Sequence, residues 1–289
     1  TDLSVKFAAS NQRVTVVGRV GGRAATFHER AQNTAQDLGV TLEKTNLCLV
    51  DDIDSVDWST ADLVIENVNE DLALKQALFR TVTALADSDA IITSNSSTFG
   101  ISSIAAGLSN PGRFFGLHFF MPAHLVPLVE IVASEHSNLD IAEKIKLALI
   151  PIGFEPVTVR KDVPGFLANR IQAAMMREVW NILDRDIATA EDVDKAVMYG
   201  FGCRFLAAGP IMQKEISGLD VTHSASKNLF PDLNNDAVPP AMLTQKIEKG
   251  EMGMKTQQGF WAWTPESIEE NRKKYVKKLR AAIEILSDD

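Results

Sequence analysis

The sequence has few cysteines: Cys48 and Cys203 are the only two in 289 residues. They lack the paired spacing of a disulfide framework or a zinc site, and no apolar leader stretch opens the sequence. We therefore expect no structural disulfide, no bound metal and a location in the reducing cytoplasm.

Long apolar runs and an excess of basic charge are also absent. No apolar stretch approaches the roughly 18 to 20 residues that span a bilayer, so we expect no membrane association. Lys and Arg number 29 against 38 Asp and Glu, which gives a formal net charge of -9. Because proteins that bind nucleic acid concentrate positive charge against phosphate, we expect no nucleic-acid partner.

What the sequence does contain is an alternation of strand and helix patterns over its first half. Its length and its hydrophobic content of 45% suit one large or two moderate domains. A helix is predicted over residues 71–86, and strands over residues 14–17, 47–50, 63–65, 90–93, 114–118 and 126–132. Because each parallel strand needs a crossover, this alternation predicts a Rossmann-type, doubly wound parallel α/β sheet.

Beyond residue 160 the pattern becomes helical, with long helical runs predicted over residues 166–187 and 189–199. We therefore expect a nucleotide-binding α/β domain over residues 1–160 and an all-helical domain over residues 161–289.

Candidate catalytic groups lie in the stretch from Ser94 to Ile131. The hydroxyl and amide side chains of SNSST follow a strand, where open α/β sheets bind ligands. His118 ends a second strand, and Glu130 lies in a third among apolar residues. Because a buried glutamate needs a partner, we expect one ring nitrogen of His118 to bind Glu130 while the other faces a substrate. Alternatively, His118 makes an ordinary core hydrogen bond and Glu130 binds a backbone group or an arginine.

A second candidate segment, VRKDVPGFLANR, starts the long helix at the expected domain junction. Pro164 needs no functional explanation, because proline is common at the start of a helix. Asn169 is either a polar residue on the helix surface or, because of its place at the junction, a substrate contact.

Several motifs together resemble one known family, the short-chain L-3-hydroxyacyl-CoA dehydrogenases, whose relatives include lambda-crystallin, L-gulonate dehydrogenase and carnitine dehydrogenase. The resemblance spans residues 62–263, and its motifs follow the family order: ADLVIENVNEDLALKQALF, SNSSTFGISSIA, RFFGLHFFMP, LVEI, KDVPGFLANR and GMKTQQGF. It implies NAD-dependent hydride transfer, with His118 as the catalytic acid–base, Glu130 orienting it, and Ser97 and Asn169 holding the reacting oxygen.

The resemblance also implies residues near the dinucleotide. Glu70, Lys75 and Lys255 match family positions of this kind, although each is otherwise an ordinary surface charge. Met121 stands where the family has an asparagine that contacts the nicotinamide end, and methionine cannot make those hydrogen bonds.

The largest departure from the family concerns VTVVGRVGG, where Gly18 ends the strand and is the remaining candidate from a phosphate-binding turn. The family's glycine-rich turn, its helix, the next strand and the acid for the adenosine ribose do not follow. We hypothesise that roughly 30 to 45 residues of a βαβ unit are missing between Gly18 and about Val20. A covalent Gly18–Arg19 bond would favour a non-catalytic, crystallin-like relative instead.

The substrate implied by the resemblance is a short-chain 3-hydroxyacyl-CoA, which would place the protein in fatty acid metabolism. Alternatively, the substrate is a small free hydroxy acid whose carboxylate is anchored by Arg204 and Lys214, unless these are surface charges. The apolar helical run with Met175, Met176 and Trp180 predicts a homodimer through the C-terminal domain.

Overall fold

A computed structural model describes residues 1–18, 24–41 and 46–287. The chain forms two compact units, Thr1–Arg170 and Ile171–Asp289. The hypothesis about the Gly18–Arg19 join lies outside the described residues.

The first unit contains parallel strands joined by helices. Its strands are β1 (Val14–Val17), β2 (Leu47–Val50), β3 (Leu63–Glu66), β4 (Ile91–Ser94), β5 (Phe114–Phe119), β6 (Leu128–Ala133) and β7 (Glu155–Val159). Its helices are α1 (Asp2–Ala9), α2 (Ala24–Asp37), α3 (Leu72–Leu85), α4 (Ile101–Ile104) and α5 (Leu139–Leu149), and α6 (Ala168–Asp184) begins here.

Five of these strands form one sheet in the order β3-β4-β5-β6-β7. Every neighbouring pair is parallel except β5 and β6, which are antiparallel and place His118 opposite Glu130. The link between β5 and β6, residues 120–127, is too short for a parallel crossover, which needs a dozen or more residues. The predicted doubly wound α/β fold is confirmed, with β6 and β7 running opposite to β3, β4 and β5.

The remaining strands, β1 and β2, form a separate parallel pair. Helix α1 connects them to the larger sheet: Phe7 packs on the ring of Phe119, whereas Val5 clusters with Ala31 and Ala35 of α2. The structure therefore places a helix before β1, which the sequence patterns did not predict.

Apolar layers cover both faces of the five-stranded sheet. On one face, Leu117 and Ile131 pack against Ile145 and Leu149 of α5. On the other face, Ile92 and Phe114 pack against Phe79 of α3. Helix α3 begins where Asp71 accepts a hydrogen bond from the backbone N–H of Leu74 at 3.0 Å, the usual way of capping a helix N-terminus.

The second unit is helical, as predicted. It contains the rest of α6 together with α7 (Ala190–Ala196), α8 (Pro210–Ser217), α9 (Leu219–Leu229), α10 (Ala241–Glu248) and α11 (Pro265–Ser287). Within residues 1–18, 24–41 and 46–287, no helix is both long and apolar enough to cross a bilayer.

Candidate active site

The centre of the site is a buried histidine–glutamate contact across the antiparallel strands β5 and β6. His118 and Glu130 are register partners, so their side chains leave the sheet on the same face. His118 Nδ1 lies 2.8 Å from Glu130 Oε2, and the two residues are 6% and 0% exposed. The contact proposed from their spacing is therefore present.

The second oxygen of Glu130 is bound by the start of helix α6. The backbone N–H groups of Leu167 and Ala168 donate to Glu130 Oε1 at 3.0 and 2.7 Å. The preceding turn has Gly165 and Phe166 in the left-handed region, with φ of 75° and 49°. Such turns aim successive N–H groups at one anion, so this segment completes the coordination of the carboxylate.

These contacts decide the charge of Glu130. Burial raises the pKa of its carboxyl, but the hydrogen bonds from His118, Ala168 and Leu167 outweigh burial and hold the pKa below its usual value. Glu130 is therefore a stable anion, fixed beside the imidazole ring.

Aromatic rings enclose His118. The ring centroids of Phe120 and Phe166 lie 4.7 and 5.4 Å from that of the imidazole, both edge-to-face. Because Nδ1 is occupied by Glu130, Nε2 is the ring nitrogen left for a substrate. The arrangement suits a proton acceptor whose tautomer and orientation are fixed by a carboxylate.

The loop after β4 is tied to the end of β5. Asn95 Oδ1 accepts a hydrogen bond from the backbone N–H of Phe119 at 2.9 Å, and Asn95 Nδ2 donates to Asn67 Oδ1 at 2.8 Å. Ser97, two residues further along this loop, is exposed. The loop that carries Ser97 is thus fastened next to His118, although no direct Ser97–His118 bond is present among the described contacts.

Asn169 is the second residue of α6 and is half-buried. It directly follows Ala168, whose N–H binds Glu130. Asn169 is therefore the next residue along the chain after one that binds Glu130.

A charged cluster that the sequence patterns did not identify lies at the ends of β3 and β4, where Glu66 and Lys75 are buried and Glu70 is exposed. Lys75 Nζ lies 2.9 Å from Glu66 Oε1 and 3.2 Å from Glu70 Oε2, and the Lys75 side chain is 1% exposed. Ser94 Oγ donates to Glu66 Oε2 at 2.6 Å. The sequence signal for this cluster was Glu66, a carboxylate that ends the apolar strand LVIE and therefore needs a partner, nine residues before Lys75.

Five further residues were predicted for the site, namely Gly18, Met121, Lys255, Arg204 and Lys214. Gly18 follows β1, and of the atoms in the described residues a Cβ there would meet Leu49 at 4.0 Å. Met121 is 72% exposed after the end of β5. Lys255, Arg204 and Lys214 belong to the second unit. The part of the chain that the structure describes contains no group of His, Cys, Asp and Glu that could hold a metal.

Two family models cover most of the chain. The model described as 3-hydroxyacyl-CoA dehydrogenase, NAD binding domain, matches residues 3–163, and the one described as 3-hydroxyacyl-CoA dehydrogenase, C-terminal domain, matches residues 165–263. The chain belongs to the 3-hydroxyacyl-CoA dehydrogenase family. The resemblance inferred from the motifs is confirmed, and so are NAD as the cofactor and an NAD-dependent dehydrogenase fold.

Relatives in this family differ in substrate. The chain is 35% identical over 269 residues to a 5-formyl-3-hydroxy-2-methylpyridine 4-carboxylate 5-dehydrogenase of Mesorhizobium japonicum, covering 91% of this chain and 86% of the relative. It is 31% identical over 209 residues to a 3-hydroxybutyryl-CoA dehydrogenase of Mycobacterium tuberculosis, covering 72% of each.

Among solved structures, a 5-formyl-3-hydroxy-2-methylpyridine 4-carboxylic acid 5-dehydrogenase, described as an NAD⁺-dependent dismutase, matches with a TM-score of 0.89. The match has 31% identity and covers 99% of this chain and 94% of that one. Membership of the family therefore establishes the redox cofactor but leaves the acyl-CoA substrate unassigned.

The chemistry of the site fits a nicotinamide cofactor. The described polar side chains stand at the carboxyl ends of β3, β4 and β5, the edge at which open α/β sheets bind dinucleotides. Asn67 and Asn95 supply amide groups at this edge of the sheet, and His118 lies near the end of β5.

The pH dependence of stability tests the ionised state of Glu130. Because its pKa in the folded protein lies below the value of about 4.3 in an unfolded chain, its contribution is complete above that pH and is lost as the pH falls through the folded value. We expect Glu130→Gln to lower the free energy of unfolding by about 2 kcal/mol at pH 7 and the gap to wild type to narrow in acid.

Urea denaturation between pH 7 and pH 3 measures this gap. Glu135→Gln is the matched control, because Glu135 also lies beside a histidine but its side chain is 82% exposed. A gap that stays constant from pH 7 to pH 3 would show that Glu130 is not held as a stabilised anion.

Proposed function

We propose that the chain interconverts a hydroxyl and a carbonyl group by NAD-dependent hydride transfer, with His118 as general acid–base. The observation that carries the proposal is the buried His118–Glu130 pair, in which Glu130 is an anion held by three donors. A protein without catalytic work has no structural need to bury this costly pair, which argues against the crystallin-like alternative.

In the oxidation direction, His118 Nε2 takes the proton of the substrate hydroxyl. A bound NAD would supply the hydride acceptor for the carbon that bears this hydroxyl. Glu130 stabilises the imidazolium that forms, and in the reverse direction this imidazolium returns the proton to the carbonyl oxygen. Ser97 and Asn169 donate hydrogen bonds to the reacting oxygen, where charge develops.

For the cofactor, we propose that Met121 lies beside the nicotinamide end, and that Gly18 and Lys255 lie close to the dinucleotide. Met121 contributes only apolar contact, since a thioether is a weak acceptor and no donor. Glu70, Lys75 and Ser97 are also proposed to lie close to the dinucleotide, and Lys75 Nζ lies 3.2 Å from Glu70 Oε2.

For the substrate, we propose a small free carboxylate. Support comes from the pyridine carboxylate dehydrogenase of M. japonicum, which matches over 91% of this chain, and Arg204 and Lys214 are the cations expected to anchor the carboxylate. A short-chain 3-hydroxyacyl-CoA is the second candidate, supported by the 3-hydroxybutyryl-CoA dehydrogenase of M. tuberculosis.

We also propose that the second unit pairs with a second copy of the chain. Among the buried hydrophobic residues described, only Val193 lies in this unit. Its helices α8, α9, α10 and α11 contain no buried residue. Ile171 and Met175, one turn apart on α6, are 59% and 36% exposed. Apolar helix faces of this extent are typical of protein interfaces.

The acid–base role is tested by His118→Gln. Glutamine keeps a polar side chain in β5 but cannot exchange the proton, so we expect kcat to fall at least about a hundredfold while the dissociation constant of NADH is retained. Steady-state kinetics and NADH fluorescence titration measure the two quantities. The exposed His136 provides the control variant His136→Gln, and unchanged turnover in His118→Gln would refute the mechanism.

The substrate class is tested by comparing acetoacetyl-CoA with free 3-oxo acids and aromatic aldehyde carboxylates under the same conditions. We expect a higher kcat/KM for a free carboxylate, because its charge is the group that Arg204 and Lys214 would bind. Arg204→Gln should then raise KM for the free acid selectively. A clear preference for acetoacetyl-CoA would assign the CoA substrate instead.

Self-association is tested by sedimentation equilibrium. Wild type should sediment as a dimer at micromolar concentration, and Ile171→Glu should weaken the association because a charge would be buried at the interface. Gln172→Glu, at the neighbouring exposed position, is the control. A monomeric wild type at these concentrations would exclude the stable dimer.

A further inference from the structure

One contact joins two segments of the first unit that lie 60 residues apart in the sequence. The backbone N–H and the hydroxyl of Ser102, in α4, both donate to Asp162 Oδ2 at 2.7 Å. Asp162 follows β7 and precedes the turn that leads into α6. Because hydrogen bonds to an ionised carboxylate are strong, this double contact fastens the two segments together.

The same carboxylate lies against the backbone of Gly100. A Cβ on Gly100 would lie 2.4 Å from each oxygen of Asp162 and 2.6 Å from its carboxyl carbon. Gly100 has φ of -67° and ψ of 148°, an extended conformation that any residue can adopt. Glycine is therefore required at this position by the approach of Asp162 and not by the backbone conformation.

On one side, the contact holds the loop that carries Ser97. Thr98 and Phe99 alone separate Ser97 from Gly100, and the N–H of Phe99 donates to Ser96 Oγ at 2.9 Å. The loop is therefore short and internally bonded, so that fixing Gly100 limits how far Ser97 can move.

On the other side, the contact holds the turn that binds Glu130. The N–H groups of Leu167 and Ala168 bind Glu130, and they come five and six residues after Asp162. The intervening turn contains a hydrogen bond from the N–H of Phe166 to the backbone carbonyl three residues earlier, at 3.0 Å. Asp162 is therefore connected through a short, bonded segment to the carboxylate that orients the imidazole.

Together these contacts form a closed ring through the proposed catalytic groups. Glu130 binds His118 of β5, and Asn95 accepts a hydrogen bond from a backbone N–H of the same strand. Ser97 lies two residues after Asn95, and Asp162 connects its loop back to the segment that binds Glu130. Ser97 and His118 are therefore joined along two routes, and the contact of Asp162 completes the second.

We propose that Asp162 is a positioning residue that fixes Ser97 relative to His118, by fastening the Ser97 loop to the turn before α6. The proposal rests on the proposed function, in which Ser97 donates to the reacting oxygen and His118 takes its proton. Both groups must meet one substrate atom, and a displacement of about 1 Å can cost about a hundredfold in rate. Asp162 acts through the start of α4 and not by touching the substrate.

Kinetics of Asp162 variants test this role, with NADH and acetoacetate or acetoacetyl-CoA, whichever the wild type reduces faster. Asp162→Ala should lower kcat and kcat/KM by the same factor, about 10- to 100-fold, since positioning acts on the transition state. Asp162→Asn keeps an oxygen that can accept from Ser102 and should recover most of the activity. Asp54→Ala, which removes an exposed carboxylate of the same unit, is the matched control.

A steric test comes from Gly100. A methyl group there would meet the carboxylate, so Gly100→Ala should displace Asp162 from Ser102 and lower kcat as much as Asp162→Ala does. Combined with Asp162→Ala, which removes the three atoms nearest to that methyl group, it should cause little further loss. Gly209→Ala is the matched control, because Gly209 has similar φ and ψ of -64° and 165° and no described atom lies within 4 Å of its Cβ position.

Hydrogen exchange reports on the contact independently of activity. The N–H of Ser102 should exchange faster in Asp162→Ala and in Gly100→Ala than in wild type, because it loses its acceptor. If Asp162→Ala does not fold, Ser102→Ala carries the test. It removes one hydrogen bond of an exposed side chain and should lower kcat by about 2- to 10-fold, whereas the neighbouring exposed Ser103→Ala should not.

The Ser97→Ala variant separates failure of this inference from failure of the proposed function. If the proposal holds, Asp162→Ala combined with Ser97→Ala should be no slower than Ser97→Ala alone, because the hydroxyl to be positioned is already absent. Normal kcat in Ser97→Ala would refute the role of Ser97 in the proposed function, and the positioning role with it. A slow Ser97→Ala with normal kcat in Asp162→Ala and Gly100→Ala would refute positioning alone. Equal losses in Asp162→Asn and Asp162→Ala, with normal kcat in Gly100→Ala, would show that the charge of Asp162 matters and its contact with Ser102 does not, which would also overturn the proposal.

Discussion

A carboxylate removed from water must find all of its hydrogen-bond partners inside the protein, and the first unit is arranged so that Glu130 does. The reversal of β6 relative to β5 brings His118 to one oxygen, and the left-handed turn at Gly165 and Phe166 brings two N–H groups to the other. The same turn begins α6, so Asn169 is positioned by the interaction that orients the imidazole. The carboxylate that orients His118 therefore also binds the N–H groups at the start of α6.

The sequence predicted the parts of this arrangement that depend on local pattern. Short β-branched or apolar runs predicted β3 to β5, and the apolar setting of Glu130 predicted a partner for it. The direction of β6 is a property of loop length and sheet position, which hydrophobic pattern does not encode. Strand β7 was missed because Pro156 weakens its strand pattern, yet proline is tolerated on the edge strand that β7 forms.

The cluster of Glu66, Glu70 and Lys75 could not be predicted from the sequence, for a different reason. Charged residues on a helix and after a strand normally face water, and only tertiary packing reveals that Lys75 points inward. Family motifs marked two of the three residues without indicating what they contact. Helix α1 was likewise too short to give a clear helical period, although its residues Val5 and Phe7 pack in two different apolar clusters.

The separation of β1 and β2 from the larger sheet has a consequence for local stability. The N–H groups of Val14 and Gly18 donate to the carbonyls of Asn46, just before β2, and of Val50, at its end. Because N–H groups alternate in direction along a parallel strand, those of Thr15 and Val17 point to the other edge, where the described residues provide no partner strand. A two-stranded sheet is marginal on its own and here relies on α1 and α2 for its apolar cover. The β1–β2 pair therefore depends for its stability on α1, whose Phe7 packs in the same apolar cluster as Ile131 of the larger sheet.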